Sequence, residues 1–225
     1  MSEKYFTASK FVNGFTLAEV LITLVIIGVV AAMTIPTLIN NTKKQEFVAG
    51  LKKANSVLSQ SILKIGQNNG YPVGDYSFLD GADFIEEFSK VVSVTKKCDN
   101  FSACSGKNLS GENAYKHMTG SNASVSNGKT LITSDGQIFS YYPNPGTVYG
   151  ISSEDKDACI GRIFVDINGH KNPNMLGYDA FAFYLVDKKG IVPAGSDSTE
   201  NCSVSATYPG WGCAAKVLKE NAINY

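Results

Sequence analysis

Gly14-Phe15-Thr16-Leu17-Ala18-Glu19 runs directly into Val20 to Ile39, an apolar stretch interrupted only by Thr23, Gly28, Thr34, Pro36 and Thr37. Residues 18–39 are long enough to cross a bilayer as one helix. A carboxylate at the edge of such a segment costs about 2.5 to 3.5 kcal/mol on insertion scales, and intramembrane charges persist where they have a partner. Glu19 therefore requires an explanation. Met1 to Gly14 carries Lys4 and Lys10 against Glu3 and ends on glycine without an Ala-x-Ala site, so it differs from a secretory signal in all but charge.

Apolar side chains continue past the membrane-length run. Phe47, Leu51, Ala54, Leu58, Ile62 and Ile65 recur at three- and four-residue steps with Val48 and Val57 beside them, while Lys43, Lys44, Lys52 and Lys53 fall mostly elsewhere around the wheel. A helix from Phe15 to Ile65 would run about 75 Å at about 1.5 Å per residue, so only its first half fits in lipid. The second half reads as the core face of a helix laid across a sheet, and Gly66, Asn68 to Gly70 and Tyr71-Pro72 supply its stop.

Strand signals come late in the chain. Thr130 to Thr133 and Gln137 to Tyr142 flank Ser134-Asp135-Gly136, a hairpin cue. Ile163 to Ile167 reads as a third strand, and Phe181 to Val186 with Ile191 to Val192 as a second hairpin around Lys188-Lys189-Gly190. Four or five antiparallel strands with a long N-terminal helix define an α+β fold. Asp83 to Val94 reads as a short helix. Cys98 to Gly106 and Gly120 to Gly128 read as surface loops. Boundaries follow: 1–14, 15–66, and one globular head over 67–225.

Gly14 followed by Phe-Thr-Leu-Ala-Glu and a long apolar helix resembles the leader of type IV prepilins and type II secretion pseudopilins. The resemblance covers about residues 10 to 65, and Gly28 and Pro36 fall at offsets where that family often carries helix-weakening residues. It implies a pilin-like fold, cleavage between Gly14 and Phe15 by prepilin peptidase, and N-methylation of Phe15. It also implies storage as a single span in the inner membrane, with the C-terminal domain on the periplasmic or outer side. An inner-membrane assembly platform would then build a helical filament of this subunit and other pilins or pseudopilins. Glu19 of one subunit would neutralise the Phe15 amine of a neighbour, reinforced by the positive end of the helix dipole. The plainer reading makes Glu19 a first-turn acid in the headgroup layer. Pro36 removes one backbone donor and Gly28 lowers helix propensity by up to about 1 kcal/mol, so the stretch between them can extend under packing stress.

The stretch from Val165 to Gly195 resembles a segment recurrent in type II secretion and prepilin-like proteins. Asp166, Asn168, Asn172, Asn174 and Asp179 offer hard oxygens around Gly169 and Gly177, of the kind Ca²⁺ accepts, without the twelfth-position Glu of an EF-hand. The alternative is an Asn/Gly/Pro turn whose side chains cap their own backbone. No other cofactor is indicated.

All five cysteines, Cys98, Cys104, Cys159, Cys202 and Cys213, lie beyond the membrane segment, where the resemblance makes disulfides plausible. Local pairs, Cys98 with Cys104 and Cys202 with Cys213, are the expected arrangement, the second like the stapled C-terminal loops of many pilins. Pairings that include Cys159, a buried inert thiol and fully reduced cysteines stay open. No Cys-x-x-Cys spacing points to zinc or redox chemistry.

Twenty basic and twenty acidic residues leave no net charge across 225 residues, which gives no general pull toward nucleic acid. His117 and His170 have no nucleophile motif near them, and Gly106 to Gly111 lacks the Lys-Ser/Thr of a phosphate loop. The expected function is non-enzymatic assembly. Two alternatives are a minor pilin with an adhesive or DNA-uptake face near Tyr141 to Tyr149 or Tyr208 to Trp211, and a membrane-anchored binding protein that never polymerises.

Overall fold

The computed structural model describes residues 14–79, 83–106, 114–125, 127–143, 148–198 and 201–225. The leader up to residue 13 lies outside them, as do parts of the Gly106 to Gly111, Gly120 to Gly128 and Tyr141 to Tyr149 loops. The chain forms two compact units that part after Thr42.

Helix α1, Leu17–Asn68, is continuous through Gly28 and Pro36. In the first unit its apolar side chains stand in the open, with Leu24 60% and Met33 73% exposed. The hydroxyls of Thr23 and Thr34 donate to the helix's own carbonyls, Val20 O at 2.9 Å and Val30 O at 3.0 Å. Polar groups in an apolar segment are thereby satisfied internally, as a lipid-embedded helix requires.

In the second unit the three- and four-residue stripe is buried as its spacing dictates: Phe47, Val48, Leu51, Ala54, Leu58, Ile62 and Ile65. They face a six-stranded antiparallel sheet in sequence order: β1 Val94–Cys98, β2 Lys129–Thr133, β3 Ile138–Pro143, β4 Cys159–Asp166, β5 Ala180–Val186 and β6 Gly190–Pro193. Register sorts side chains between the faces. The row Leu131, Phe139, Val165, Phe181 and the row Tyr141, Ile163, Phe183 join the helix-side core. Helix α2, Phe84–Ser89, capped by Asp83, adds Phe84 and Phe88 to it.

The strands read from the sequence are β2 to β6, and the sheet gains β1 at its edge. Cys98 to Gly106, expected to be surface loop, instead holds the last residue of β1 and helix α3, Phe101–Ser105, with Phe101 and Cys104 buried. α1 also runs two residues past the expected end at 66.

The sheet's other face is buried as well, which explains why every residue of β5 is inaccessible. Phe101, Tyr115, Ala123, Val125, Ile151, Phe164, Tyr184 and Trp211 form a second core there. Two short helices complete the unit: α4, Ser153–Asp157, and α5, Cys213–Glu220. On that face the surface of the head is made of loops and short helices.

Candidate functional site

At the start of α1 the Thr16-Leu-Ala-Glu19 spacing closes a capping box. The Thr16 N–H and hydroxyl both donate to Glu19 Oε2 at 2.8 Å, and the Glu19 N–H donates back to Thr16 Oγ1 at 3.2 Å. Two orphan donors of the helix N-terminus are satisfied this way, and the carboxylate is aimed at the positive end of the helix dipole. Within one subunit, then, Glu19 already has a partner. Its other oxygen, Oε1, makes none of these bonds. Phe15, 89% exposed, and Gly14, also exposed, precede the helix.

Gly28 would meet nothing with an added Cβ, so no packing in the monomer demands glycine there. Pro36 leaves Ala32 O without its usual helical donor. These are points where α1 is weakest, inside the one described helix long and apolar enough to cross a membrane.

Residues 10–35 match the prokaryotic N-terminal methylation motif. The chain carries the signature of type IV pilins and pseudopilins. The motif implies processing by prepilin peptidase and assembly with other pilins in a membrane complex. With the apolar helix it marks a membrane-anchored, single-pass protein. The family that carries this motif is a structural kind of protein. No curated protein and no solved structure matches the chain. The sequence signal for this box is the T-x-x-E spacing from Thr16 to Glu19.

In the head, the oxygen-rich loop folds around two fully buried carboxylates. Asp166 at the end of β4 accepts the N–H groups of Asn168 and Gly169 on Oδ1, at 3.1 and 2.8 Å, and the Tyr115 hydroxyl on Oδ2. Asp179, just before β5, accepts from Met175 N–H at 2.6 Å and Asn174 N–H at 2.8 Å. Burial pushes the Asp179 carboxyl up to about 6. Burial, and then the neighbouring Asp179 charge, push Asp166 well above the usual carboxylate range. Asn172 joins through Asn174 Nδ2, which donates to its Oδ1 at 2.9 Å.

All four carboxylate oxygens accept protein hydrogen bonds. Among the described residues the buried Oδ1 atoms of Asn168 and Asn174 have no donor, and no three His, Cys, Asp or Glu side chains converge. A calcium ion would need those two amide oxygens and a rearranged pair of carboxylates. As folded, these hydrogen bonds clamp the loop onto its own backbone.

Cys98 is bonded to Cys104 and Cys202 to Cys213, leaving Cys159 as a half-buried thiol that burial pushes up to about 11. The aromatic loops Tyr141 to Tyr149 and Tyr208 to Trp211, far apart in sequence, meet: the Tyr149 ring lies 5.1 Å from Tyr208 and 5.4 Å from Trp211. Trp211 is itself buried beneath Arg162, whose guanidinium sits 5.0 Å from the indole. These rings pack a loop onto the second core. The histidines also tie loops together, His117 Nδ1 at 2.9 Å from Pro209 O and His170 Nδ1 at 2.9 Å from Ser105 O.

Proposed function

We propose that this chain is a non-enzymatic structural subunit of a type IV pilus-like filament or a type II secretion pseudopilus. The methylation motif at residues 10–35, opening a helix that starts with a Thr16–Glu19 box, carries the reading. Prepilin peptidase cuts between Gly14 and Phe15 and methylates the new amine. Residues 18–39 hold the subunit as a single span in the inner membrane, with the head on the periplasmic or outer side. An assembly platform then passes it into a helical bundle with copies of itself and other pilins.

Glu19 sets the register of that bundle. The amine of Phe15 brings a full positive charge and the helix end about half of one. In a low-dielectric bundle a neighbour's amine is a stronger partner for the carboxylate than a threonine hydroxyl. Assembly thus exchanges, or adds to, the contact that Thr16 supplies within the subunit. Apolar packing of Leu17, Val20, Leu21, Leu24 and Val25, all exposed in the single chain, contributes most of the cohesion. The test is Glu19→Ala in the native host. Processing at Gly14/Phe15 should continue while the subunit disappears from assembled filaments, and an unchanged filament yield would refute the assignment.

A further inference from the structure

Both bonds that reach the Glu19 carboxylate within the subunit end on the same oxygen. The Thr16 N–H and hydroxyl each donate to Oε2 at 2.8 Å, and the Glu19 N–H donates back to Thr16 Oγ1 at 3.2 Å. A carboxylate spreads about four lone-pair sites over its two oxygens. Oε1 takes part in none of these bonds, so the box holds the side chain without exhausting its capacity to accept. Thr16 is the residue placed to do this. Between Gly14 and Glu19 no other side chain carries a donor, and the next hydroxyl along α1, that of Thr23, is spent on Val20 O at 2.9 Å.

Capping accounts for only half of the arrangement. An N-cap side chain has to accept a helix N–H, which Thr16 Oγ1 does, whereas donation from that hydroxyl to Oε2 is a separate, charge-assisted bond that a cap does not require. Its effect is to order the glutamate before a second subunit arrives. Ordering a flexible side chain on association would otherwise weaken that association about two- to ten-fold. The methylation motif over residues 10–35 points to the group that is to be met, a cationic amine at Phe15, which is itself 89% exposed.

We propose that Thr16 is a positioning residue for assembly: it holds one oxygen of Glu19 so that the other is left, already ordered, to accept the Phe15 amine of the next subunit. The inference rests on the assembly role of Glu19 proposed above. Thr16 then acts only through Glu19, and the bond it makes in the single chain persists in the bundle beside the new one.

The full-length protein is expressed in the native host as wild type, T16S, T16V and T16D, and membranes and filaments are treated with a membrane-permeant carbodiimide. The readout is the mass-identified peptide in which Phe15 of one copy is joined to Glu19 of another, normalised to chain that begins at Phe15. Serine keeps both cap and donor and should match wild type. Valine keeps neither, and aspartate caps as threonine does but has no proton to give the carboxylate, so both should lower the yield about five-fold. Wild-type yield in T16V overturns the proposal, and wild-type yield in T16D overturns it by showing that capping alone suffices. A joined peptide formed within one copy, seen as loss of water from the single N-terminal peptide, also overturns it. Absence of the intersubunit peptide from wild type overturns the reading of Glu19 itself, and this proposal with it.

Discussion

Leu58→Ala and Leu24→Ala separate the two halves of α1 by what each side chain packs against. Leu58 is wholly inaccessible in the helix-side core, whereas Leu24 is 60% exposed. Truncating a buried leucine removes its transfer free energy and leaves a cavity, a loss of about 2 to 5 kcal/mol. Leu58 sits mid-stripe, between Ala54 and Ile62 and opposite a sheet face, so a central value of about 3 kcal/mol applies. For a unit of this size each kcal/mol lowers the midpoint by about 2 to 4 °C, giving a drop of about 6 to 12 °C. Trp211, the sole tryptophan and buried in the second core, reports unfolding of the head by its fluorescence in detergent-solubilised full-length protein. Leu24→Ala should stay within about 0.5 kcal/mol of wild type in that assay and show its effect only in the yield of assembled filaments. An unchanged midpoint for Leu58→Ala, or an equal drop for Leu24→Ala, would refute the division of α1 into a core half and an assembly half.

The buried carboxyls predict a pH profile. Because burial raises Asp179 to about 6, the folded head keeps a proton that the unfolded chain has released above about pH 4. Stability should therefore fall as pH rises from about 4 to about 6, by about 3 kcal/mol from Asp179 alone, and Asp166, raised by the same burial, adds to the fall in the same direction. Glu87 beside Lys90 and Asp155 beside Lys189, both held low, act in the opposite direction at more acid pH. Asp166→Asn can still accept from the Asn168 and Gly169 N–H groups and donate to the Tyr115 oxygen, so urea midpoints across this range should show a shallower fall in the variant; an equal slope would count against the shared-burial account. Opening the 202–213 loop with Cys202→Ala/Cys213→Ala should cost about 3 kcal/mol through loop-closure entropy, read as a lower thermal midpoint, and a loss below about 0.5 kcal/mol would show that the bond contributes little.

Much of this was legible because single residues fixed it locally. The α1 stripe from Phe47 to Ile65 could bury only one face of a helix, and Asp135-Gly136 between apolar runs could only be a tight turn, with Gly136 at φ +87°. β1 was hidden because Val-Thr-Lys-Lys-Cys is an edge strand with its lysines in solvent and so shows no apolar alternation. α3 is five residues long, too short for a period, and only its Asn100 and Gly106 caps announce it. α5 carries its signal in the good helix formers Ala-Ala-Lys-Val-Leu-Lys-Glu, a run too short to show a period. The second core draws Phe101, Tyr115, Phe164 and Trp211 from separate segments, and no periodicity in one segment displays such contacts. The Tyr115 to Asp166 bond, spanning 51 positions, was out of reach for the same reason.

The intact mass and N-terminal peptide of the protein, measured in material sheared from the native host's surface and in its membranes, test the central claim most directly. The account predicts a chain beginning at Phe15 and bearing one added methyl group. Its presence in the sheared fraction marks a surface pilus, and its confinement to membranes marks a pseudopilus. A chain still beginning at Met1 in both fractions would contradict the account.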